Sequence, residues 1–196
     1  MERARISLLT ICGLEELDGH SGRGVTHLLS ILDPAWPDPP GFATWPKHRR
    51  LLLRFHDIIE PGPGLVLPEP EHVEQILAFN AELEADVDER GEGHLLVHCH
   101  MGISRSTAAM TTLLAQAYPD ESAESLVARL EAIRPQSWPN LRMIGFADTM
   151  LGRGGELSEA VSRLHARQIA AKPHLAQVMT GLGRAREVET ALALAA

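Results

Sequence analysis

Leu95-Leu96-Val97-His98-Cys99-His100-Met101-Gly102-Ile103-Ser104-Arg105-Ser106 is the stretch whose reading decides the fold. Leu95 to Val97 reads as a buried strand, and a helical pattern runs from Thr107 to Ala115 immediately behind it. The strand delivers Cys99 into a tight turn, and the turn opens into the N-terminus of the helix. Backbone N–H groups and the positive end of the helix dipole then converge on one point, which makes an anion cradle. Arg105 adds a planar fork that holds two oxygens of a phosphate at once. Gly102 sits mid-loop, where a Cβ would hinder a backbone that must turn its amides inward. His100, Met101, Gly102, Ile103, Ser104 and Arg105 are therefore the expected phosphate-binding residues. The same field favours the thiolate form of the Cys99 sulfur.

His-Cys-x-x-Gly-x-x-Arg-Ser, here His98 to Ser106, resembles the signature of the cysteine-based protein tyrosine phosphatases, and Gly-Ile-Ser-Arg-Ser is most similar to the dual-specificity branch. The alternative, a buried structural cysteine with a solvated arginine nearby, does not account for His before, Gly inside and Ser after it. The resemblance implies an α/β phosphatase-type domain with a largely parallel central sheet flanked by helices. Its signature loop would lie between a central strand and a helix. It covers roughly residues 5–150, and the helical segment 156–196 lies outside the matching part.

Composition agrees with that frame. At 196 residues the chain suits one domain, 1–196, with a full core. A formal net charge of −8 argues against nucleic acid and against an anionic membrane surface as partners. The only cysteines are Cys12 and Cys99, so no disulfide framework is expected, and a reducing, cytoplasmic setting follows. The apolar run Ile6 to Cys12 is short and acidic residues follow it, so it reads as a first strand rather than a leader. No stretch approaches the roughly 20 apolar residues of a membrane span.

Along the chain, Ile6–Ile11, Val25–Leu32, Arg50–Phe55 and Leu95–Val97 read as strands, with a short helical turn at Gly13–Leu17. The Pro-rich stretch from Asp33 to Pro46 reads as an irregular loop whose Trp36 and Trp45 either pack on the body or line a substrate entrance, packing being favoured. A helix starts near Glu69 with apolar spacing at Val73, Ile76, Leu77 and Leu83, and Gly91-Glu92-Gly93 ends it. Further helices are expected over Ser122–Ile133, Asn140–Leu151 and Glu156–Ala171, with a helical Ala-rich tail from His174. Strands alternating with helices, then helices alone, point to a parallel sheet with a ligand at its carboxyl edge.

The resemblance assigns the chemistry. Cys99 is the nucleophile that forms a cysteinyl-phosphate, and Arg105 with the loop stabilises the equatorial oxygens. The leaving oxygen needs a proton. Asp57, just past a strand end and before a Gly/Pro-rich segment, stands where the family carries its general acid; His56 and Glu60 are its competitors. Ser106 matches the hydroxyl that assists breakdown of the phospho-enzyme, and His98 the histidine that orients the loop. Arg134-Pro135 and Pro139-Asn140 match a pattern beside the signature, with Asn140 read as a helix cap. Phe146 stands near the place of a water-positioning glutamine, so Asp57 would also act as base in the second step. Cys12 reads as core, its other reading being a disulfide partner for Cys99.

No cofactor is needed, and no metal: adjacent His98, Cys99 and His100 point in different directions and nothing distant completes a shell. The loop lacks the lysines that relatives acting on inositol phospholipids place there. A singly phosphorylated substrate is therefore expected, either a phosphorylated protein, with phosphotyrosine first and phosphoserine or phosphothreonine if the pocket is shallow, or a small phosphomonoester. The competing function is a non-catalytic module that recognises phosphorylated partners.

Overall fold

The computed structural model describes residues 8–90 and 93–195. Four parallel strands, β1 (Leu8–Cys12), β2 (His27–Leu32), β3 (Arg49–Arg54) and β4 (His94–His98), form one sheet in the order β1-β4-β2-β3. The α/β arrangement with a parallel sheet flanked by helices is the expected one. Residues 6 and 7 of the anticipated first strand, and Gly91 and Glu92, lie outside the described residues. The second strand begins at His27 rather than Val25, because Thr26 uses its side chain and backbone to bond His94 at the sheet's end.

β4 is buried at every position and lies between β1 and β2. Its side chains alternate across the sheet as the pleat demands. Leu95 and Val97 join Leu29 and Ile31 in the main core, beneath α1 (Pro70–Arg90), α2 (Arg105–Ala117), α3 (Ala123–Ile133) and α4 (Leu141–Met150). Leu96 joins Leu28, Cys12, Leu17, Val25 and Trp45 on the other face. A sheet covered on both faces explains why its inner strands read as continuous apolar runs.

That second face is closed by short 3-10 helices, Leu14–His20 and Pro40–Thr44. The latter corrects the expectation of an entirely irregular Pro-rich loop. Pro40 sits at the first helical position, where its missing N–H is no loss. The loop's two tryptophans part company: Trp45 packs in the core, whereas Trp36 stays 45% exposed against the His100 ring.

Helix α5 (Glu156–Ala171) adds Leu157, Ala160, Val161 and Leu164 to the main core. The tail is two helices, α6 (His174–Gly181) and α7 (Ala185–Ala195), divided at Gly183, whose φ is +76°. Gly183 N–H bonds the Thr180 carbonyl and Arg184 N–H the Met179 carbonyl, a turn that terminates α6 and leaves Arg184 immediately before α7. Met179, Val188 and Ala191 then pack with Trp138 and Ile169 in a third cluster that touches Ile103 of the signature loop. No helix among the described residues is long and apolar enough to cross a membrane.

Candidate active site

The loop between β4 and α2 wraps the point where Cys99 leaves the sheet. Cys99 is 2% exposed, and its Sγ lies 3.2 Å from Ser106 Oγ in the first turn of α2. Every carbonyl of the loop's middle is taken from behind. Leu14 N–H donates to His100 O at 2.9 Å, Arg134 donates to Met101 O at 3.1 Å and to Gly102 O at 3.0 Å, and Trp138 N–H donates to Ile103 O at 2.8 Å. In a trans peptide the N–H points opposite to the C=O. The amides of Met101, Gly102, Ile103 and Ser104 are thereby turned the other way, and none of them bonds a protein acceptor among the described residues. Four N–H groups without a protein acceptor among the described residues thus lie together at a helix N-terminus, an arrangement whose chemistry suits an anion.

Gly102 is required for that turn. Its φ is +67°, and a Cβ there would lie 2.4 Å from Cys12 C and 2.6 Å from Cys12 O. Arg134 is in turn paired with Glu16 by two bonds at 2.9 and 2.8 Å. That arginine keeps the Glu16 carboxyl below its ordinary range.

Arg105 is 3% exposed and is gripped by one end. Its Nη1 donates to Asp33 Oδ1 and to Phe55 O, both at 2.6 Å. Its Nε is buried with no hydrogen-bond partner among the described residues. The Nε–Nη2 edge is the one whose geometry matches two oxygens of a tetrahedral anion, and the grip on Nη1 orients it.

Asp57 lies beyond β3 against the same loop. Its Oδ1 accepts from Ser104 Oγ at 2.8 Å, Asn140 Nδ2 at 3.0 Å and Arg184 Nη1 at 2.9 Å. Asn140 also caps α4 through Oδ1, which accepts from Met143 N–H, so the cap and the Asp57 contact are made by one side chain. The competing residues are occupied elsewhere. His56 exchanges bonds with Val66 at 2.8 Å, and Glu60 faces Arg186 at the surface, 3.7 Å away.

His98 is fully buried, and burial pulls its pKa down to about 4, so the ring is neutral near pH 7. Its Nδ1 faces Cys99 O at 3.4 Å and its Nε2 faces Ser30 Oγ at 2.8 Å. A carbonyl only accepts, so Nδ1 carries the proton and Nε2 accepts from Ser30, whose oxygen in turn accepts from Arg50 Nε at 2.9 Å. His100 is also shifted down, by burial first and then by Arg105. Its Nε2 accepts from Asp33 N–H, so the 3.7 Å approach to the Asp33 carboxylate is no ion pair while the ring is neutral. Met101 is 67% exposed at the rim. Cys12, free and buried, is pushed up to about 12, by burial first and then by Glu16, which makes it a protonated thiol rather than a second nucleophile.

Sequence reasoning placed Cys99, Arg105, Ser106, His98 and Asp57 together, and the structure gathers them at one loop. It missed Asp33, Trp138, Arg184 and Glu187. Asp33 carried a usable signal, a carboxylate directly after the strand beside β4; Arg184, in an Ala-rich tail, carried none.

No protein-family profile matches the chain, and no curated protein matches it in sequence. Its fold does have solved counterparts. Human DUSP28 is 21% identical, with 78% of this chain and 96% of that one aligned at a TM-score of 0.54. Tk-PTP in its active form is 17% identical over 75% of this chain and 93% of its own, at 0.53. The PTP-2 phosphatase of Cydia pomonella is 16% identical over 75% and 87%, at 0.55. The chain has the fold of the cysteine-based tyrosine and dual-specificity phosphatases, and Cys99 follows β4 where that fold carries its signature loop.

Proposed function

We propose that the chain is a metal-independent phosphomonoester hydrolase of the tyrosine or dual-specificity phosphatase type. The observation that carries this reading is the loop itself: donors from outside bind its carbonyls, which turns its amides the other way, at a helix N-terminus that follows directly on Cys99. A phosphate seated there presents phosphorus in line with the thiolate. Three equatorial oxygens meet the amides and the Nε–Nη2 edge of Arg105. As the S–P bond forms and the ester P–O bond breaks, Asp57 gives its proton to the leaving oxygen. Water then adds to phosphorus, Asp57 takes its proton, and the S–P bond breaks. Ser106 Oγ, 3.2 Å from Sγ, donates to the departing sulfur.

Substrate class follows from the rim. None of the residues from His100 to Ser104 is a lysine that would hold a second phosphate, and the Trp36 ring stands 4.5 Å from the His100 ring with half its surface free. A flat aromatic wall beside the cradle favours phosphotyrosine in a protein, with small aryl phosphomonoesters as surrogates.

The test is hydrolysis of para-nitrophenyl phosphate in the presence of chelator. Wild type turns over, Cys99→Ser does not, and Asp57→Asn is slowed by about 10²-fold or more. Activity that survives in Cys99→Ser, or that requires added metal, refutes the mechanism. Tight phosphopeptide binding without hydrolysis by wild type establishes the binding-module reading instead.

A further inference from the structure

We propose that Arg184, from the C-terminal helical segment, is a positioning residue for the general acid Asp57; this rests on the hydrolase reading above. Arg184 is 2% exposed, among the largest fully enclosed side chains of the protein, and nothing in the catalytic scheme so far uses it. Its guanidinium is divided between two tasks. Nη2 donates to Glu187 Oε1 at 2.6 Å, while Nη1 donates to Asp57 Oδ1 at 2.9 Å and to Ser104 Oγ at 3.0 Å.

A buried Arg–Glu pair would already be neutral without Asp57, so the reach of Nη1 calls for its own account. Glu187, 1% exposed, anchors the arginine to the segment that backs the signature loop. Its Oε1 also accepts from Leu141 N–H at 2.8 Å, and its Oε2 accepts from Trp138 Nε1 at 2.7 Å. Trp138 N–H bonds the loop at Ile103 O, and Asn140, next to Leu141, donates to Asp57. A closed ring results, running Ser104, Asp57, Asn140, Leu141, Glu187, Arg184 and back to Ser104.

The chemistry of the ring lies in where it binds. Ser104, Asn140 and Arg184 all donate to one oxygen, Oδ1. An oxygen accepting three hydrogen bonds is a poor seat for a proton, so the transferable proton belongs on Oδ2. Arg184 thus fixes the plane of the carboxyl and selects the oxygen that acts. Because Ser104 belongs to the cradle, the same guanidinium sets the acid in register with the phosphate site. The left-handed Gly183 turn places this residue immediately before α7.

The experiment is a leaving-group series with the full chain, from difluoromethylumbelliferyl phosphate, which departs without help, to phenyl phosphate, which needs a proton. Removing Arg184 alone would strand the Glu187 carboxylate, so the variant is Arg184→Met with Glu187→Gln, and its fold is checked by circular dichroism. The expected result is a kcat loss of about 10-fold or more on phenyl phosphate, with KM little changed, and under about 3-fold on the umbelliferyl ester. On an Asp57→Asn background the same double change costs nothing further, since no proton transfer is left to position. Arg184→Lys, which keeps the charge and one bond, recovers part of the activity on phenyl phosphate and decides the matter where the double variant does not fold. Equal losses across the series, or losses that multiply with Asp57→Asn, overturn the positioning role while leaving the hydrolase standing. A wild-type chain that hydrolyses no member of the series removes the hydrolase reading and this role with it.

Discussion

Arg105 Nη1 lies 2.6 Å from Asp33 Oδ1, so the arginine is held at one end of its guanidinium while its buried Nε keeps no partner among the described residues. Asp33 is about one-third exposed, which screens its charge, and its service is to orient rather than to attract. Asp33→Asn keeps an accepting oxygen, and its kcat/KM stays within about 3-fold of wild type. Asp33→Ala leaves Phe55 O as the sole anchor and lowers kcat/KM by about 10-fold, or roughly 1.4 kcal/mol. Steady-state kinetics on para-nitrophenyl phosphate decides: equal damage from both changes would assign the effect to charge instead.

Gly102→Ala is the sharpest test of the cradle. The new Cβ would enter backbone at 2.4 Å, in a left-handed conformation that alanine avoids. The strain is local, so far-ultraviolet circular dichroism stays native while oxyanion binding is lost. Tungstate raises the melting temperature of wild type and leaves that of Gly102→Ala unmoved. A variant that still responds to tungstate would mean that the loop amides are not the anion site.

Sequence order explains which parts of this site were legible. Cys99, Arg105 and Ser106 lie on one short strand–loop–helix unit, where spacing alone sets their relation. Asp57 was reachable because a strand end of a parallel sheet is a defined place. Asp33 sits at an equivalent strand end, yet Asp33-Pro34 reads equally well as a turn. Arg184 and Glu187 meet Asp57 and Trp138 only through the packing of α7 onto the 134–141 segment, and no local pattern encodes such a contact. The tail shows the same limit in small: Ala-rich composition announces helix, but the division into α6 and α7 depends on the left-handed Gly183.

Arg134 supports the loop from outside through three acceptors, Glu16, Met101 O and Gly102 O. Arg134→Ala frees two carbonyls to rotate, and kcat/KM falls about 10- to 100-fold with a modest loss of melting temperature. Arg134→Lys recovers little, because an ammonium cannot serve both carbonyls and a bidentate carboxylate from one fixed plane. Glu16→Gln, altering a group half exposed, changes activity by less than about 3-fold. Full activity in Arg134→Ala would show that Leu14 and Trp138 suffice to turn the loop.

His98 links the loop to stability at acid pH. Burial lowers its pKa from 6.5 to about 4 in the folded chain, so between those values the unfolded chain binds the extra proton. The stabilisation is therefore present above pH 6.5, drains away as the pH falls towards 4, and is gone below it. The shift corresponds to about 3 kcal/mol at most. His165, stacked on Trp138 and lowered to about 3 by burial and by Arg184, adds its own loss over an overlapping range, so the wild-type curve alone does not isolate His98. The comparison is urea unfolding of wild type and His98→Gln between pH 7 and pH 4. The variant starts lower, having lost the bond to Ser30, and its curve is flatter by up to the His98 contribution. Parallel curves would mean that the His98 ring takes up its proton without leaving the folded sheet, and that the Ser30–His98–Cys99 chain is not what the acid disrupts.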